Sequence, residues 1–171
     1  MNIFVKPVIF LVIFSILHFG YDLTNWSFLT PFCGIDESIF QHLKMAFWAY
    51  LFASIIEYLL IKKRIEKNSS FWYSRFLSTI ILPWYIFLIW YLVPAIFGKT
   101  GSSTIELFWA LISSYLSGLF ATITEKNTGK SEFDSASRIV IIVLLVASAF
   151  LYIKFTYQLP WVDMFVNPES I

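Results

Sequence analysis

Charge is scarce in this sequence. Charged residues make up 13% of the 171, against about a quarter in a soluble domain, too few to cover a water-facing surface. The 12 Lys and Arg nearly balance the 11 Asp and Glu, for a net charge of +1, which excludes the basic surface of a nucleic-acid binder. Cysteine occurs once, as Cys33, so an internal disulfide is impossible. Reactivity there would need a neighbouring base and a lowered pKa, and a plain loop thiol is the simpler reading. Period-two alternation over roughly ten-residue segments is missing, which excludes a membrane β-barrel. Internal repeats and an HExxH metal motif are missing too. What abounds is apolar: 58% hydrophobic residues, 20% aromatic, and a mean hydropathy of +0.74.

That composition reads as an all-α, polytopic integral membrane protein. Crossing about 30 Å of hydrocarbon takes roughly 20 mostly apolar residues. Five stretches supply them, at about 7–22, 39–61, 76–97, 104–124 and 138–158. We expect a five-transmembrane-helix bundle, one transmembrane domain over 1–171, with a proline-containing tail (159–171) folded over one face. The first stretch ends in Leu17-His18-Phe19-Gly20 without a small-x-small cleavage site, so it reads as a retained helix. Lys6, Lys62, Lys63, Arg64, Lys67, Arg75, Lys126, Lys130 and Arg138 fall on one side, and Lys44, Lys99 and Lys154 on the other. Because Lys and Arg in short loops favour the cytoplasm, the expected arrangement in the cell membrane is N-terminus in and C-terminus out. Trp72 and Tyr73 on the inner side, and Trp26, Trp109 and Trp161 on the outer, suit interfacial belts.

The ionisable residues then sort by side. His18, His42, Asp22, Asp36, Glu37, Lys44, Glu106, Lys154 and Asp163 gather toward the outer leaflet, and polar groups at membrane depth usually face a protein interior or a wet cavity. The middle of the bundle reads as almost bare. Glu57 is the deep charge on the inner side, expected to pair with a cytoplasmic base or to snorkel. His18 and Asp22 stand one turn apart and can share a face, the pairing that orients a general base or a metal ligand. The alternative is an interfacial histidine followed by a loop aspartate.

The densest polar run is 36–44. Asp36 is the expected N-cap of the second helix, with Glu37 in its first turn. Glu37, Gln41 and Lys44 then make one polar stripe, and Ser38 and His42 a neighbouring one. On an ideal helix Glu37 and His42 project about 140° apart, so a shared ion would borrow ligands from His18, Asp22 and Glu106. A capped, snorkelling helix start is the plainer reading of this run. Glu106 opens the fourth helix, where it either complements the helix dipole or walls the outer pocket.

The run Asp36-Glu37-Ser38-Ile39-Phe40-Gln41-His42-Leu43-Lys44-Met45 resembles a signature, Asn-Glu-Ser-x-Trp-Glu-His-x-Lys-Leu, of a family of small prokaryotic multi-pass membrane proteins of unknown function. Glu37, Ser38, His42 and Lys44 match it, while Asp36, Phe40, Gln41 and Met45 depart from it. The tail Phe155-Thr156-Tyr157-Gln158-Leu159-Pro160, followed by Phe165-Val166-Asn167-Pro168, is similar to that family's proline-punctuated end. The resemblance implies that Glu37, His42 and Lys44 are positions of interest, and it brings no reaction with it. Gln41 in place of the second Glu removes a second carboxylate from that helix.

Three functions fit these residues. The first is a polar pocket open to the outside that binds a metal or a lipid head group and hydrolyses or transfers something there. His42 and His18 would be base or ligand, Glu37 and Asp22 the carboxylates, and Lys44, Gln41, Ser38 and Glu106 the substrate contacts. The second is a non-catalytic accessory protein whose polar run meets a membrane-protein partner or another copy of the chain. The third is a small ion or solute transporter, which needs polar residues continuing across the membrane. Membrane lipids surround the chain in all three. Enzymatic activity, metal and cofactor stay open at this stage.

Overall fold

The computed structural model describes residues 1–65, 70–98 and 102–167; Lys67, Lys99 and Pro168 lie outside the described residues. Five α-helices follow one another, α1 (Val5–Thr24), α2 (Ile39–Ile61), α3 (Phe71–Phe97), α4 (Ser103–Thr128) and α5 (Ser135–Tyr157). No strand occurs among the described residues. All five helices are long and apolar enough to cross a membrane.

Their ends follow from local chemistry. The Ser38 hydroxyl accepts from the Gln41 N–H (3.4 Å) at the start of α2, and Asp134 accepts from the Ser137 N–H (3.0 Å) at the start of α5. Each satisfies a donor that the first helical turn leaves free. The N-cap of α2 is therefore Ser38 and not Asp36. α1 stops at Asn25, whose φ of 53° is left-handed and whose N–H turns back to the Tyr21 carbonyl. α3 continues through Pro83 and Pro94.

Four helices close a ring: α2 packs on α1 and α3, and α4 packs on the same two. α5 stands outside the ring against α3. Phe10, Met45, Phe47, Ala49, Tyr50, Ala53, Leu82 and Ala121 fill the interior with 0% exposure. At the α1–α4 contact, a Cβ on Gly118 would lie 2.9 Å from Phe10 Cδ1 and 3.3 Å from Pro7 Cβ. The absent side chain of Gly118 thus leaves room for the Phe10 ring and Pro7 at this crossing. α5 turns its apolar residues outward, with Ile139, Val146 and Phe150 near 60% exposed (63%, 61% and 59%). Such a face is stable when lipid is the solvent. After α5, a single 3-10 turn (Asp163–Phe165) seats Phe165 on Phe40 and Phe155, at ring-centroid distances of 4.6 and 5.5 Å. The tail thereby returns to the start of α2.

The middle of the bundle holds little charge, but one end encloses more than the Glu57 that the sequence singles out. Each ring helix sends a charged side chain to one level near the amino-terminal end: Lys6 from α1, Glu57 from α2, Arg75 from α3 and Glu125 from α4. Lys6 Nζ donates to Glu57 Oε2 (2.8 Å) and to Glu125 Oε2 (2.5 Å). Arg75 grips Glu57 through Nη2 to Oε1 (3.0 Å) and Nε to Oε2 (3.2 Å), and its Nη2 lies 3.6 Å from Glu125 Oε1. The Tyr50 hydroxyl donates to Glu125 Oε2 (2.9 Å), and its ring lies under Lys6 Nζ at 4.6 Å. The Met1 amine sits at the edge, 3.5 Å from Glu57 Oε1. Glu57 is 1% exposed and Glu125 2%, so Glu57 pairs in the interior and does not snorkel. Buried charges persist when each is paired and hydrogen-bonded, as these are.

Candidate metal centre

At the opposite end of the bundle, three elements bring His18, Glu37 and His42 together. α1 carries His18 on its last turns and α2 carries His42 on its first. The connecting loop supplies Glu37, and several bonds fix its path. The Gly34 N–H donates to the Leu17 carbonyl (3.1 Å), which lays the loop along the end of α1. Asp36 Oδ1 accepts from the Ser38 N–H (2.8 Å), so Asp36 shapes the approach to the helix. Lys44 Nζ donates to the Thr30 carbonyl (2.7 Å), tying the loop to the second turn of α2.

Because the helix begins at Ile39 behind the Ser38 cap, Glu37 is not helical. The projection of 140° that would separate it from His42 on an ideal helix (about 100° per residue) does not apply. Glu37 Oε2 instead lies 3.4 Å from His42 Nε2, and Oε1 lies 3.8 Å from His18 Nε2. One ligand atom from each of the three falls within 4.8 Å of the others. The imidazoles meet edge to face, with centroids 5.4 Å apart, and His18 stacks on Phe19 at 4.8 Å.

The geometry settles one tautomer. His42 Nδ1 lies 2.9 Å from the Ser38 carbonyl oxygen, which can only accept, so Nδ1 carries a proton. In neutral His42 the lone pair is then on Nε2, the atom facing Glu37. A ring N–H held by a backbone carbonyl is how metal-binding histidines are oriented, with the other nitrogen left free to bind the ion. Tetrahedral coordination at about 2.0–2.1 Å puts neighbouring donor atoms about 3.3 Å apart. The two carboxylate–imidazole separations, 3.4 and 3.8 Å, are close to that, and the three ligand atoms together lie within 4.8 Å. The side chains of His18, His42 and Glu37 are 26%, 31% and 41% exposed, so an ion and a further small ligand can reach them from solvent.

The remaining sequence candidates lie elsewhere. Asp22 is exposed at the end of α1 and forms no ion pair with His18 among the described residues. Glu106 is exposed in the first turn of α4, where it complements the dipole, and it does not join the three. Ser38 is buried as the cap. Gln41 and Lys44 are buried on other sides of α2 from His42, so neither contacts a substrate at the histidine cluster. Lys44 turns to Thr30 and Thr156. Lys154 is exposed near the end of α5, as a snorkelling lysine would be.

Sequence reasoning passed over Lys6, Arg75 and Glu125 as members of a buried network. A signal for it exists. In an up-and-down bundle positions 6, 57, 75 and 125 fall at the same end, one per helix, with two charges of each sign. No curated protein and no solved structure matches this chain. Over residues 2–170 it matches a family of unknown function (DUF6512), and the chain belongs to that family.

Proposed function

We propose that this chain is a cell-membrane protein that holds a divalent transition metal between His18, His42 and Glu37 on the extracytoplasmic face, with its amino terminus inside. The observation that carries the reading is the convergence of three ligand atoms within 4.8 Å from α1, α2 and the loop between them. Two imidazoles and one carboxylate favour zinc, iron(II), cobalt or nickel over the all-oxygen ions magnesium and calcium. Three protein ligands leave coordination positions open, and the partial exposure of the cluster lets water or a substrate oxygen fill them. A metal so placed supplies Lewis-acid polarisation and an activated water at the membrane surface. The amino-terminus-in orientation is supported by the basic residues at the Lys6 end of the bundle.

The test is elemental analysis of protein purified without a histidine tag from metal-replete cells. The expected result is stoichiometric transition metal in the native chain, lost in His42→Ala and in Glu37→Ala. Metal-free native protein, or metal retained in both variants, would contradict the reading.

A further inference from the structure

On the side of α2 turned away from the metal ligands, two polar side chains are enclosed without the partners their chemistry calls for. Lys44 is 0% exposed, and its Nζ reaches only neutral oxygens, the Thr30 carbonyl at 2.7 Å and Thr156 Oγ1 at 3.2 Å. No carboxylate lies within 4 Å of it among the described residues, and Asp36 acts on it only from farther away. Gln41 is also 0% exposed, and neither its Oε1 nor its Nε2 has a hydrogen-bond partner. The two residues are one turn apart on the same side of the helix, about 60° apart in projection. His42 projects about 160° from Lys44, toward α1.

An enclosed ammonium with no counter-charge in contact and an enclosed amide without partners are each costly. Here both fall within one turn. An ammonium has three N–H donors and two are used; the Gln41 amide adds two more. What this spot offers a ligand is therefore a positive charge and several N–H donors. That is the complement of a small oxyanion, and lysine serves phosphate as a point charge. We propose that Lys44 and Gln41 form the binding site for a phosphate group, with Lys44 Nζ and Gln41 Nε2 donating to its oxygens. The tail covers it: Phe165 rests on Phe40, which precedes Gln41, and on Phe155, which precedes Thr156. This site does not depend on the metal reading. Its phosphate comes either from free phosphate or from a lipid head group.

The experiment is thermal unfolding of the full chain in zwitterionic detergent, titrated with inorganic phosphate against chloride at equal ionic strength. It is repeated in phosphatidylcholine nanodiscs with and without phosphatidic acid. The expected result is a saturable rise of several degrees in the native chain with one of the two phosphate sources, and the source that works identifies the ligand. Lys44→Met should keep the helical circular-dichroism spectrum of the native chain and lose the response. Gln41→Leu should keep the fold and need at least about tenfold more phosphate, as expected for the loss of a hydrogen bond to a charged group. A native chain that responds to neither source, or a response of equal size in Lys44→Met, would overturn the proposal.

Discussion

Removing Lys6 tests the buried charge network where it is most exposed to refutation. Its Nζ lies 2.8 Å from Glu57 Oε2 and 2.5 Å from Glu125 Oε2, with the side chain 0% exposed. At an effective dielectric constant of about 20, two unit charges about 2.8 Å apart attract by about 6 kcal/mol, of which desolvation takes back several. In Lys6→Met, Glu57 keeps its paired bonds from Arg75, but Glu125 keeps only the Tyr50 hydroxyl at 2.9 Å and Arg75 at 3.6 Å. A buried carboxylate left so weakly compensated should cost about 3–5 kcal/mol. Glu125→Gln leaves Lys6 with Glu57, for a similar or smaller loss. The double variant removes one charge of each sign and restores balance among the side chains. Its cost should fall short of the sum of the two by about 2 kcal/mol or more. The assay is reversible unfolding in mixed micelles with increasing sodium dodecyl sulfate, followed by circular dichroism. Additive effects, or single variants within about 1 kcal/mol of the native chain, would refute the reasoning, because water would then be solvating these charges.

Other consequences follow from particular contacts. Gly118→Val should weaken the α1–α4 contact by about 1–3 kcal/mol, since even its Cβ meets Phe10 at 2.9 Å; the same unfolding assay reads it. Cys33 is 2% exposed, and burial pushes its thiol pKa up from the ordinary 9.0. It should resist maleimide at pH 7 to 8 and react only as the pH climbs past the ordinary thiol range or once the chain unfolds; rapid labelling of the native chain would contradict that burial. Orientation can be read in a Cys33→Ser background. A maleimide that cannot cross membranes should label Asn25→Cys in intact cells, and Ser131→Cys only after lysis; the reverse pattern would overturn the amino-terminus-in arrangement.

How far the sequence could be read depended on the kind of physics involved. The five helices were legible because lipid as solvent demands long apolar stretches, whatever the details of packing. His18, Glu37 and His42 were all legible as candidates, but their convergence was not. Asp36 and Ser38 are both good caps, and choosing Asp36 wound Glu37 into the helix and turned it away from His42. In the structure Asp36 bonds to the Ser38 N–H, the helix starts at Ile39, and Glu37 stays in the loop within reach of both rings. Asp22 shows the converse error, because residues four apart on a helix can share a face without touching. Glu125 escaped notice because it sits just past the fourth apolar stretch, where a charge looks like an ordinary helix end. Only the closure of α1 to α4 into a ring places it against Lys6.

The most direct test of the central claim is X-ray absorption at the edge of the metal that the purified chain carries. The account predicts a sulfur-free first shell of nitrogen and oxygen, at about 2.0–2.1 Å if the metal is zinc, with outer-shell scattering from two imidazole rings. In His42→Ala any remaining metal should show one ring. Sulfur in the first shell, a shell of water alone, or an unchanged spectrum in His42→Ala would contradict a centre built from His18, Glu37 and His42.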